Sequence, residues 1–248
     1  MNRLIVYTCV FGNYQGPVEP REAWADCEFI CFTDRSDLVS DIWSVRRIEL
    51  NGLESVRGSR KPKILPHKFL DHGDASLYVD ANIKINRNPA DYFLPLLERG
   101  SFWAPRHFER DCIFEEAREC VVLGRTPVSS AVSEMKRYRQ LNMPCHAGMS
   151  ENNVLLRAHH QEAVIDLMER WWSLYEQGCG RDQLSLPVAL MQSNFKIAYL
   201  ETSSRDTSDQ VVVRHQQHTR DENTRLWRRV KRKMVISARR LRYGNLLF

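Results

Sequence analysis

"SLYVDANIKI", residues 76–85, climbs through an apolar run to Asp80, skips one residue to Asn82, and resumes as alternating apolar and polar residues. A core strand that carries these two must give them partners, since an unpartnered buried polar group costs roughly 1–3 kcal/mol and a buried charge more. The stretch therefore reads as a buried strand that emerges at Asp80. Alternate residues of an extended chain point to one side, so Asp80 and Asn82 offer a pair of oxygen ligands at the strand exit. Hard oxygens suit Mg²⁺ or Mn²⁺, which keep several waters and bridge to substrate phosphates. An aspartate capping a turn, with Asn82 bonding local backbone, has the same signature.

Outward from this strand, short apolar runs alternate with helical patterns. "RLIVYTCVFG" (3–12), "CEFICFTD" (27–34) and "DIWSVRRIEL" (41–50) read as strands of a sheet buried on both faces. "SRKPKILPHKFLDHG" (59–73) reads as a short or broken helix, because Pro62 and Pro66 interrupt it. "NPADYFLPLLERG" (88–100) has Asn88 as N-cap, Pro89 at the first helical position and Gly100 at the end. "SFWAP" and "NNVLLRA" read as further strands, and helices are expected within 110–124, 129–142, 160–178 and 181–192. Strands alternating with helices point to an α/β layered domain.

The chain has 248 residues, 43% apolar and 27% charged, enough for one globular domain or one with an appendage. No run approaches the roughly 18–20 apolar residues of a membrane span, and no small-residue cleavage site follows the N-terminal apolar stretch. A cytoplasmic protein is expected. Its seven scattered cysteines form no C-x-x-C pair and read as reduced, mostly buried thiols. Of the net charge of +5, residues 220–248 carry ten Lys/Arg against two acids, which leaves −3 for residues 1–219. The basicity thus belongs to a tail, which argues against a specific nucleic-acid partner. That tail reads as a basic amphipathic helix, either lying peripherally on an anionic membrane surface at its cytoplasmic face or packing its apolar stripe on the domain.

In an open α/β sheet, ligands collect at the carboxyl ends of the strands. Those ends are Thr8 with the loop to Tyr14, Thr33-Asp34, and Asp80 with Asn82, joined by the segment 178–183. "VYTCVFGNY" (6–14), "FICFTD" (29–34), "KPKILPHKFL" (61–70), "LYVDANIKI" (77–85), "RDCIFEEA" (110–117) and "GRDQLS" (180–185) occur in this order. Together they resemble the glycosyltransferase-like domain family of plant mucilage-associated proteins and bacterial polysaccharide loci, long catalogued as a domain of unknown function. The resemblance runs from about Arg3 to about Met191. It implies a GT-A-like fold, a mixed central sheet flanked by helices; the charge division sets this domain at residues 1–219 and the basic helical tail at 220–248. It also implies a nucleotide-diphospho-sugar donor, a UDP-sugar by expectation, a glycan or polysaccharide acceptor, and a divalent metal on an Asp-x-Asp motif. Here the second acid is Asn82, which keeps the oxygen and loses a charge.

Sugar transfer then assigns roles. A leaving nucleoside diphosphate develops negative charge that a metal or cationic side chains stabilise. The resemblance puts donor contacts at Arg60, Lys63 and His67, which a solvated helix face would also explain. Thr8, Phe11, Asn13 and Tyr14 are candidates to frame the base, with Asp34 near the ribose; a plain tight turn at Gly12-Asn13 is the alternative. An acceptor hydroxyl must lose a proton, and Asp182, in the first turn of a helix, is the candidate general base. Beside it Arg181 can hold an anionic group, while Gly178 and Gly180 let the backbone approach a substrate. Should configuration be retained, Asp182 would orient the donor sugar instead, and a helix cap is the plainer account. "HAGMSENNVLLR" (146–157) resembles an acceptor-side segment and makes His146, Glu151 and Asn153 sugar contacts. His215 and His218 fall where such enzymes supply a histidine to the metal. Glu115 and Glu116 read as partners for Arg110 rather than as a catalytic pair. Two other functions fit the same residues: a non-catalytic nucleotide-sugar or glycan-binding module, and a metal-assisted hydrolase.

Overall fold

The computed structural model describes residues 3–49, 52, 54–205, 211–214 and 222–246. Its centre is a seven-stranded sheet in the order β3-β2-β1-β4-β7-β6-β8, comprising β1 (Leu4–Val10), β2 (Cys27–Thr33), β3 (Ser44–Arg47), β4 (Ser76–Val79), β6 (Phe102–Pro105), β7 (Val154–Arg157) and β8 (Ala198–Leu200). β1, β2, β3 and β4 run parallel, while β7 runs antiparallel to both β4 and β6. A separate two-stranded ribbon joins β5 (Ile83–Ile85) to β9 (Val212–Arg214).

The period-2 pattern of β1 builds two cores at once. Ile5, Tyr7 and Cys9 face one apolar cluster, while Leu4, Val6 and Val10 face the other. The first cluster takes Ile64 of α1 (Ser55–Ile64), Ala117 of α3 (Ile113–Val122), Met135 of α4 (Val128–Gln140), Leu167 of α5 (Glu162–Glu176) and Leu184 of α6 (Asp182–Ser193). The second takes Phe93 of α2 (Pro89–Phe93) and Ile83, Ile85 and Val212 of the ribbon. This mixed, helix-flanked sheet is the class expected from the alternation of strands and helices. β3 departs from expectation, for it is a partly exposed edge rather than a strand buried on both faces.

Local signals hold where they have a mechanism. Asn88 caps α2, its side-chain oxygen accepting from the Ala90 N–H at 3.1 Å. Pro62 sits inside the last turn of α1, and the chain re-forms as a 3₁₀ turn at Pro66–Lys68. The cysteines of the described residues are unpaired and mostly buried. α7 (Glu222–Tyr243) is helical as the tail pattern indicates. No described helix is long and apolar enough to cross a membrane.

Topology sets where a ligand can sit. From β1 the chain steps outward through β2 and β3, then returns to place β4 on β1's other side, so the order reverses between β1 and β4. Their carboxyl ends flank a crevice. Because β7 is reversed, its beginning rather than its end lies at this rim: the Asp80 N–H donates to the Asn153 carbonyl at 2.8 Å.

Beneath the sheet, His159 is fully buried just beyond β7. Burial, reinforced by neighbouring His160 and Arg157, pushes its pKa down from 6.5 to about 3. The folded state therefore refuses a proton that the unfolded chain accepts, and stability should fall as pH drops below about 6.5. Urea denaturation in steps from pH 7 to pH 4 should show this loss, flattened in His159→Leu. An unchanged slope in that variant would assign the loss to other groups.

Candidate active site

At the rim between β4, β7 and the start of α6 lies a cavity of about 300 Å³. Arg60, Lys63, Asp80, Asn82, Glu151, Asn153, Arg181 and Asp182, all singled out from the sequence, line it. Arg125, Asn152, Gln183 and Arg205 complete the wall. Asn152 and Gln183 are chain neighbours of residues already suspected, whereas Arg125 and Arg205 carry no local motif that marks them.

Lys63 holds the centre. Arg60 and Lys63 are three apart on α1 and so share a face. The Lys63 ammonium is 2.7 Å from Asp182 Oδ2 and 3.6 Å from Asp80 Oδ1, and it lies 4.9 Å over the Tyr78 ring. Arg60 Nε is 3.9 Å from Asp182 Oδ1. The Tyr78 hydroxyl donates to Asp80 Oδ1 at 2.8 Å, which answers in part how a strand tolerates Asp80. Beyond Asp80 the chain turns at once, the Ile83 N–H donating to the Asp80 carbonyl at 2.8 Å. Asp80 and Asn82 thus share a wall through a turn, not through an extended strand.

Burial pushes the Asp182 carboxyl toward its neutral form, yet Lys63, Arg60 and Arg181 together hold its pKa well below the usual carboxylate range. A carboxylate that resists protonation is a poor general base and a good fixed acceptor. Burial opposes the charge of Arg60 as well, but Asp182 and its neighbours raise its pKa overall. Across the cavity, Glu151 accepts from Arg205, from the Ser203 hydroxyl at 3.0 Å and from Asn153 Nδ2 at 3.3 Å. Five cations against three acids give the lining a net positive charge, which favours an anionic ligand. Several buried groups still lack hydrogen-bond partners: Arg60 Nε, Arg181 Nε, Asn152 Nδ2 and Asn153 Oδ1. Three of these four are donors.

The carboxylate of Asp80, the amide of Asn82 and the unpaired Asn153 Oδ1 stand on this wall. They are hard oxygens with one formal negative charge, a set that fits a divalent ion completing its shell with water and phosphate. His215 and His218 lie outside the described residues.

A second cavity, of about 560 Å³, is lined by Asn13, Tyr14 and Asp34 together with Gly12, Gln15, Arg35 and Asp37. Asp34 builds the turn beside it, accepting from the Gly12 N–H and from the Ser55 hydroxyl, each at 2.9 Å. Gly12 has φ of +63°, which the tight turn requires. Ser55 starts α1 and Arg60 follows five residues on, so α1 runs between the two cavities over roughly 7.5 Å. Thr8 and Phe11 line neither cavity; both are packed into the core.

Other candidates are placed elsewhere. His67 Nε2 pairs with Glu169 of α5 at 2.9 Å, away from both cavities. His146 pairs with Asp111 at 2.6 Å on the exposed surface, where Glu115 also approaches. Glu116 pairs with Arg110 at 2.6 Å, the structural role expected of it. The two glycines before α6 differ in their surroundings, Gly178 packing on Glu134 and Gly180 facing open space. A Cβ at Gly178 would fall 2.5 Å from Glu134 Oε1, and Gly180 has φ of +78°.

Residues 34–218, about three-quarters of the chain, match the TOD1/MUCI70, glycosyltransferase-like domain. The chain belongs to this family. No curated protein matches it in sequence. Among solved structures, the chain is similar to the WbbM bifunctional glycosyltransferase in its apo form, with a TM-score of 0.49 and 10% identity over 80% of its length. It spans 39% of that longer chain. It is also similar to the galactosyltransferase LgtC in complex with donor and acceptor sugar analogs, with a TM-score of 0.48 and 11% identity, covering 94% of this chain and 95% of that one.

The buried Lys63–Asp182 pair sets a stability test. Removing one partner of such a pair strands a buried charge and costs about 3–5 kcal/mol. Lys63→Met should therefore lower the urea midpoint strongly, and Lys63→Met/Asp182→Leu should regain most of the loss. Equal stability of Lys63→Met and the parent would mean that the pair is not buried as described.

Proposed function

We propose that this domain transfers a sugar from a nucleotide-diphospho-sugar to a glycan or polysaccharide acceptor. The observation that carries the proposal is the net-positive cavity at the order reversal of the sheet, with Lys63 standing between Asp182 and Asp80. Membership of a glycosyltransferase-like family supports the same reaction.

In this account the donor lies along α1. Its nucleoside occupies the cavity at Asn13, Tyr14 and Asp34, and its diphosphate the cavity at Arg60, Lys63 and Arg181. As the bond from sugar to diphosphate breaks, negative charge grows on the leaving group. Cations already held in place stabilise that charge without reorganising. Asp182, held ionised by its three cations, accepts from hydroxyls of the donor sugar and fixes its orientation; the geometry favours this over proton abstraction. Glu151, Asn152 and Asn153 offer the opposite wall to the acceptor. A divalent ion, Mn²⁺ or Mg²⁺, would be held by Asp80, Asn82 and Asn153 and would add Lewis-acid charge on the diphosphate. A UDP-sugar is the donor we expect.

One observation favours the non-catalytic binding module as second reading: Asp182 and Glu151 are both tied to cations, and Asp80 is engaged by Tyr78 and Lys63. Titration calorimetry with a panel of nucleotide-sugars, with and without Mn²⁺, tests ligand binding first. Binding should be displaced by the free nucleoside diphosphate and weakened at least about tenfold in Arg60→Ala and Arg181→Ala, since hydrogen bonds to charged groups contribute roughly 1.5–3 kcal/mol. Unchanged affinity in both variants, or no binding by any nucleotide-sugar, would contradict the donor site. Transfer to a glycan acceptor then separates enzyme from binder: the proposal expects product, and binding without product supports the second reading.

A further inference from the structure

We infer that α7 docks the protein onto an anionic lipid bilayer, with the exposed apolar row of the helix as the inserted face. α7 covers Glu222–Tyr243 and begins after the family match ends at residue 218. Its described contacts with the domain are charged or polar. Arg240 Nη2 pairs with Glu119 of α3 at 2.6 Å, Arg118 Nε donates to the Leu246 carbonyl at 2.8 Å, and Arg239 lies against Gly124. Three apolar side chains of the helix stand exposed outside these contacts. Met234 is 68% exposed, Val235 50% and Leu241 90%. Met234 and Leu241 are seven apart and so lie on one helical face, and exposed Ala238 falls between them. Cationic residues flank this row, among them exposed Lys233 and Arg242.

Charge selects the occupant. Residues 220–248 carry ten basic residues and two acidic ones, while the remainder of the chain is net negative. A second copy would bring two such tails together and meet their repulsion. A nucleic acid would satisfy the cations and gain nothing from Met234 and Leu241. An anionic bilayer satisfies both, taking the apolar row at the headgroup boundary and the Lys/Arg at the lipid phosphates. Gly124, beneath Arg239, immediately precedes Arg125 of the cavity around Lys63, so a docked helix brings one wall of that cavity to the lipid surface. Docking stands independently of the transfer reaction.

The test is co-sedimentation of the full chain with vesicles of phosphatidylcholine alone or with about 30% phosphatidylglycerol. The parent should pellet with the anionic vesicles and stay in solution with the neutral ones. Met234→Gln/Leu241→Gln, which keeps the charge, and Lys233→Glu/Arg242→Glu, which keeps the row, should each cut the partition coefficient at least about tenfold. Both variants change exposed positions, and their circular dichroism and nucleotide calorimetry should match the parent. No pelleting of a folded parent overturns the inference, as does full pelleting of the glutamine variant, which would mark a contact made by charge alone. Self-association in sedimentation velocity that the glutamine variant loses would make a second copy the occupant, and would overturn it equally.

Discussion

Lys63 buries its ammonium between two carboxylates, 2.7 Å from Asp182 and 3.6 Å from Asp80, and this contact ties together α1, the exit of β4 and the start of α6. Taking these charges out of water is expensive, and their attraction compensates only where the geometry is good. The surrounding elements supply that geometry. Trp171 of α5 donates to the Asp182 carbonyl at 3.1 Å, Tyr78 donates to Asp80, and the Tyr7 hydroxyl donates to the Lys63 carbonyl at 3.3 Å. An ionic cluster held this way has little freedom to relax around a ligand, so it presents a fixed field. A fixed field of net positive sign is what a departing diphosphate requires.

Strand direction explains how distant parts of the chain reach the same place. Residues 80–82 arrive at the rim because β4 ends there, and residues 151–153 arrive because β7 runs the other way and begins there. α6 follows a turn whose backbone passes close to Glu134, so that a Cβ at position 178 would displace the Glu134 carboxylate. At the start of α6, Asp182 meets Lys63. A single cavity therefore draws on residues from 60 to 205.

Much of this was legible in the sequence, and for identifiable reasons. β1, β2 and β4 are apolar runs that burial dictates, and Asn88 and the two prolines around α1 act through local backbone chemistry that no distant contact overrides. Asp80 stood out because a charge in a buried strand needs partners. What escaped depends on three-dimensional neighbours. β8 has three residues and pairs, among the described residues, only with β6, and β9 pairs with the ribbon strand, so neither carries enough periodicity to be seen. Thr8 and Phe11 read as rim residues, but Thr8 lies inside β1 and Phe11, just past its end, packs into the core cluster. His67 sits on a 3₁₀ turn that directs it toward α5, and His146 is drawn to Asp111. The acid–base character of Asp182 could not be read from its helical position, because Lys63 and Arg60 set it from another helix. Arg205 became visible only through its pairing with buried Glu151.

The central claim is that the cavity around Lys63 receives a diphosphate. A crystal structure with UDP and Mn²⁺ soaked to saturation tests it most directly. The account predicts phosphate density against Lys63, Arg60 and Arg181, beside Asp80, with the uracil end toward Asn13 and Tyr14. Phosphates bound at another surface while this cavity stays filled with water would contradict it.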